Sequence, residues 1–275
     1  MPKARKRNAV KDWRVRMAAT VDDITDTPVV KSAERVLRIL EYFDDVQREA
    51  RVTEIASHLK LPQSSTSALL QSLSHLGYLD YDRTQRTFLP TARVALLGTW
   101  LNEGPVHNGR LLRMMEEVSQ QSHDTIILAV RNGIYSQYIH VIQATTPIRY
   151  HVPPASRRLV AWSATGFALL THSSDEEIRG LVARTNAEMT KGHKPIDSRA
   201  VIASIRQTRR DGYFLSRELV SPGAGALAMP LPTDIERRNR PMAICISGVL
   251  GHIERRQKDL VALLQDTIGR YLLTT

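Results

Sequence analysis

The 275-residue chain contains a single cysteine, Cys245. One thiol cannot close an intramolecular disulfide or supply a cysteine-based metal cluster, so a reducing compartment is expected. Long apolar runs are also missing. Nowhere do eighteen apolar residues follow one another, and residues 17–26, just after the basic N-terminus, hold no apolar stretch of the secretory type. The expectation is a soluble, cytoplasmic protein with no membrane partner. Recognisable catalytic signatures are lacking as well: there is no G-x-S-x-G elbow, P-loop or H-E-x-x-H helix, and Gly223 and Gly225 lack the third glycine of a dinucleotide fingerprint. The nine histidines are scattered. No catalytic residue, metal ligand or cofactor is assigned, and an enzyme with an unrecognised site is the lesser reading.

Positive charge is in excess. The formal net charge is +10, which favours a polyanionic partner because Lys and Arg beside phosphates release condensed counterions. Nucleic acid leads and anionic lipid comes second. The excess is uneven: residues 1–16 carry seven basic side chains (Lys3, Arg5, Lys6, Arg7, Lys11, Arg14, Arg16) against Asp12, whereas residues 29–100 hold nine basic and eight acidic groups. That near-neutral stretch leaves room for a second alternative, a module that contacts protein.

Periodicity locates the first domain. Ala33, Val36, Leu37, Leu40 and Phe43 recur at helical spacing, with Ser32 as the expected cap. A short helix is expected from Thr53, also as N-cap, to about Leu59, and a third over residues 63–76, burying Thr66, Leu69, Leu70, Leu73 and Leu76 and stopped by Gly77. Strands at 78–81 and 87–89 flank a turn, the second ending before Pro90. Three helices and a hairpin is the winged helix-turn-helix order. In that fold the third helix lies in the major groove of DNA. Its polar groups Gln63, Ser64, Ser65, Ser67 and Gln71 are the expected base and phosphate contacts, with Arg83 and Arg86 at the wing tip.

The expected division is a basic extension at 1–28, the DNA-binding domain at 29–90, a linker helix at 91–104 carrying Val94, Leu96, Leu97 and Trp100, and a second domain from the Gly104-Pro105 hinge to 275. That domain mixes helix and strand, so the class is α+β. A helix is expected at 111–118, a hairpin of strands 125–130 and 135–142 turning at Asn132-Gly133, helices at 165–171, 176–184 and 198–210, strands near 213, 226–229 and 242–247, and one terminal helix at 253–272. Cys245 lies between Ile244 and Ile246 and reads as a small hydrophobe with a raised pKa.

The chain resembles the IclR family of bacterial transcription regulators over most of residues 30–272. The resemblance rests on Val30 to Leu40 as an opening helix, on Leu61-Pro62-Gln63-Ser64-Ser65-Thr66 through Leu69-Leu70 to Gly77-Tyr78-Leu79, on Trp162-Ser163-Ala164-Thr165-Gly166-Phe167-Ala168-Leu169-Leu170, and on the segments 223–230 and 243–248. It implies a GAF-like effector-binding domain, assembly into homodimers or homotetramers, and a pocket formed by Ala164 and Thr165 through their amides together with Ser216, Ala226, Cys245 and Ser247. Amides at a helix start suit a carboxylate, so a small organic acid, aromatic ones included, is the expected effector. Two positions depart from the family pattern: Ala68 stands where an Arg is common, and Ser216 or Arg217 where an acidic residue is common. A dimer is expected to set its two recognition helices on near-palindromic double-stranded DNA, and ligand control of operator binding is the function that the resemblance implies.

Overall fold

The computed structural model describes residues 30–98, 109–147, 149–153, 155–189, 194–233 and 240–273. They form two compact units, the first within residues 30–98 and the second within 109–273. The basic extension, the end of the linker helix with Trp100, and the Gly104-Pro105 hinge lie outside the described residues.

The first unit runs α1 (Lys31–Val46), α2 (Val52–Leu59), α3 (Gln63–His75), β1 (Leu79–Asp82), β2 (Thr87–Pro90) and α4 (Ala92–Leu96). In α1 the buried stripe is Ile39, Tyr42 and Phe43 with Val36 and Leu40 beside it, and Leu37 faces outward, so the apolar register is shifted from the expected one. Neither Ser32 nor Thr53 is a cap. Both helices start earlier, after Val30 and Arg51, without side-chain capping. Tyr42 donates to Glu54 across the α1–α2 contact (2.9 Å), and Arg48 pairs with the same carboxylate. These hydrogen bonds, Arg48 first, hold the Glu54 carboxyl below its usual range.

Helix α3 buries Thr66, Leu70 and Leu73, one residue per turn, while Leu76 is exposed past its end. Gly77, at φ +78, closes it: Tyr78 N–H donates to Leu73 O (2.8 Å) and Gly77 N–H to Ser74 O (2.9 Å). β1 and β2 pair antiparallel from Leu79↔Pro90 to Asp82↔Thr87, and Pro90 ends the strand inside the ladder. Asp82 Oδ1 accepts from Thr84 and Gln85 amides, which fixes the tip. Ile39, Ile55, Leu70, Leu73, Leu79 and Phe88 close one core.

The second unit is a six-stranded antiparallel sheet with helices on both faces. Its elements are α5 (Arg110–Ser122), β3 (Thr125–Asn132), β4 (Tyr135–Ile142), β5 (Arg157–Leu159), α6 (Ala164–Leu169), α7 (Asp175–Glu188), α8 (Ser198–Asp211), β6 (Phe214–Arg217), β7 (Ala224–Pro230), β8 (Met242–Val249), α9 (Leu250–Arg255) and α10 (Gln257–Ile268), in strand order β5-β4-β3-β8-β7-β6. The hairpin turn falls on Gly133 and Ile134, one residue beyond the expected place. Gly133 alone has positive φ (+60), which is the type II′ arrangement. The terminal helix is broken at Arg256 into α9 and α10. No described helix is long and apolar enough to cross a membrane.

Side chains alternate across this sheet. One face carries Ile126, Leu128, Leu227, Met229, Ile244 and Ile246 under α5, α9 and α10. The other carries Ile127, Ala129, Ala228, Ala243 and Cys245 under α6. The second set is small; within α6 itself, Gly166 packs on the turn that precedes the helix, where an added Cβ would stand 2.0 Å from Val160 O.

Candidate DNA-reading face and ligand cavity

In the first unit, Gln63, Ser67 and Gln71 repeat every four residues and form one stripe along α3. They border an open groove of about 420 Å³ whose other wall is Tyr81, Arg86 and Phe88 of the wing and Arg51, Val52 and Thr53 at the start of α2. Four of the seven expected contacts (Gln63, Ser67, Gln71 and Arg86) are thus brought together. The other three lie off the groove: Ser64 is exposed on α3, Ser65 donates its hydroxyl to Pro62 O (3.0 Å), and Arg83 sits exposed at the hairpin tip. Arg51 and Tyr81 were not foreseen. Arg51 immediately precedes α2, which begins ahead of Thr53, and Tyr81 reads as an ordinary strand aromatic, here tilted against Phe88 with ring centroids 4.6 Å apart.

In the second unit, all six expected pocket residues (Ala164, Thr165, Ser216, Ala226, Cys245 and Ser247) line one cavity of about 110 Å³ on the small-residue face. Hydroxyls make up part of its polar wall, beside Arg158 and His151. Ser136 donates to Thr165 (2.8 Å), and Ser163 caps α6 by accepting from Gly166 N–H (3.1 Å) while donating to Leu159 O (2.9 Å). Ser247 donates to Gly225 O at 3.4 Å. Ser216 is 4% exposed, and its hydroxyl has no hydrogen-bond partner among the described residues.

Burial pushes the Cys245 thiol up to about 12 and the Tyr138 hydroxyl up to about 12; near Tyr138, Cys245 adds to the rise and Arg158 and Thr165 oppose it. A neutral, buried thiol is no nucleophile at ordinary pH. Residues missed by sequence reasoning also line the cavity, chiefly Tyr138, Tyr150 and Arg158, with no carboxylate among the lining residues. Tyr150 donates to Pro222 O (2.9 Å) and so straps the 149–153 segment to the turn before β7.

Comparison with known proteins agrees with both halves. The IclR helix-turn-helix domain matches residues 32–83, and the bacterial transcriptional regulator IclR C-terminal domain matches residues 109–269. The repressor AllR of Escherichia coli K12 is 25% identical over 230 residues, 79% of this chain and 80% of that protein. The regulator XynR of the same organism is 22% identical over 204 residues, 74% and 81% of the two chains. Among solved structures, the effector domain of a putative IclR regulator from Acinetobacter sp. ADP1 covers 60% of this chain and 94% of its own at 25% identity and a TM-score of 0.55. Thermotoga maritima IclR shares the fold over 88% of this chain and 98% of its own, at 15% identity and a TM-score of 0.57. This protein belongs to the IclR family of DNA-binding transcriptional regulators.

Proposed function

We propose that the chain is a repressor that binds a near-palindromic operator as a homodimer or homotetramer, and that a small organic acid held in the C-terminal cavity modulates that binding. The domains act as read from the sequence: 29–90 contacts DNA, 91–104 links, and 105–275 senses and assembles. The observation that carries the effector half is the Ser216 hydroxyl, buried without a partner among the described residues on the wall of a cavity with no carboxylate among its lining residues. A buried, unsatisfied hydroxyl costs about 1–3 kcal/mol, and a bound ligand oxygen removes that cost. The cavity measures about 110 Å³.

The DNA half is supported by the Gln63, Ser67 and Gln71 stripe, since Gln offers paired donor and acceptor groups to adenine edges and Ser reaches bases or phosphates. The name of the Escherichia coli repressor supports repression as the mode. A ligand alters operator affinity only through different affinities for two conformations of the regulator. Footprinting on the DNA upstream of the protein's own gene, with and without each member of a set of short carboxylates, is the test. The expected result is a footprint weakened or shifted by at least one acid that also raises the melting temperature. A footprint that no acid alters rules out the coupling.

A further inference from the structure

We infer that Arg158 is the cationic anchor of the cavity, the side chain that selects an anionic ligand over its neutral counterpart by binding its charged end. This rests on the reading of the cavity as the effector site.

The placement follows from strand register. Arg158 pairs with Ser136 in the β4–β5 ladder, and residues directly opposite in an antiparallel pair project to the same face. That face is fixed by Ser136, which donates to Thr165 of α6, and by Tyr138 two residues on, which is buried beneath the same helix. Arg158 therefore projects onto the cavity side and lines the cavity, its guanidinium carbon 5.8 Å from the Tyr138 ring centroid. Arg157, its neighbour, projects to the opposite face, over Tyr135.

Arg158 is partly buried; its guanidinium donates to the carbonyl of Arg157 (2.8 Å) and lies over the Tyr138 ring. Among the described residues no carboxylate pairs with it. A partly desolvated cation without a counter-ion is costly, and an anionic ligand supplies the missing charge with a fork geometry that matches a carboxylate. The start of α6 cannot fill this role by itself, because the helix has six residues and Ser163 already occupies the Gly166 amide. Arg158 of β5 and Ser216 of β6 come from opposite edges of the sheet yet reach one cavity, so the sheet curls around it.

The test uses the full-length protein and matched acid–amide pairs, propanoate with propanamide and lactate with lactamide, read by thermal shift and calorimetry. An acid binds and its amide does not; Arg158→Gln weakens the acid at least tenfold, Arg158→Lys restores part of it, and Arg157→Gln leaves it unaltered. Circular dichroism confirms that each variant is folded. Acid affinity unchanged in Arg158→Gln overturns the anchor and leaves the cavity reading intact. Equal binding of acid and amide overturns the ligand class. Failure of every acid and amide to bind overturns both the anchor and the choice of cavity.

Discussion

Two protonated groups in the second unit, Cys245 and Tyr138, make stability depend on pH in one direction. Burial raises the thiol from its ordinary value of 9.0 to about 12 and the phenol from 10.0 to about 12. Both hold their protons more tightly folded than unfolded, so above the unfolded values the unfolded chain releases protons first. The stability they contribute is complete below pH 9 and is lost as pH rises towards 12. The urea midpoint is expected to fall across that window, and less steeply in the Cys245→Ala, Tyr138→Phe double variant. Parallel midpoint curves for the two proteins would show that these groups are not the cause. The neutral thiol of Cys245 was legible beforehand from Ile244 and Ile246 on either side. Arg158 was not, because two consecutive arginines separate into a cavity residue and an outer one only after the β5 register is fixed.

At the scale of elements, the α3 stripe is the surface with a measurable consequence. Gln63→Ala and Gln71→Ala are each expected to lower specific operator affinity roughly 5- to 150-fold, about 1–3 kcal/mol, with little effect on non-specific binding. Arg86→Ala is expected to weaken all sequences alike and to reduce the salt slope by about one. Gel-shift titrations on operator and random DNA at several salt concentrations separate the two kinds of contact. Loss of less than twofold with both glutamine variants removes α3 as the reading helix. The existence of α3 was readable because Thr66, Leu70 and Leu73 repeat at helical spacing and Gly77 supplies the left-handed stop. The cavity was also written in the chain: Ala226 and Ala228 alternate with larger Leu227 and Met229, and Ala243, Cys245 and Ser247 with Ile244 and Ile246. Period-two alternation of small and large leaves a void on one face. Helix starts were less readable. Ser32 and Thr53 are good capping types, but the helices are entered earlier with only backbone groups at the cap, which residue type does not reveal.

Across the whole molecule, charge and recognition are distributed differently along the chain. Among residues 29–100 basic and acidic groups nearly cancel, while residues 1–16 carry seven basic side chains and one acid. Base readout by Gln63 and Gln71 needs no net charge, but non-specific affinity does, since it comes from counterions released at phosphates. If the extension supplies that term, removing residues 1–16 lowers affinity for every sequence and leaves the ratio of operator to random DNA nearly unchanged. Each phosphate contact contributes about 0.9 to the slope of log affinity against log salt. With seven basic groups available, the truncated protein is expected to show a slope shallower by between roughly 1 and 6. The measurement is operator and random-DNA titration from about 50 to 200 mM salt. A slope equal to that of the full chain would mean that the extension touches no phosphate, and the phosphate contacts would then fall to Arg51, Arg83 and Arg86 of the winged unit.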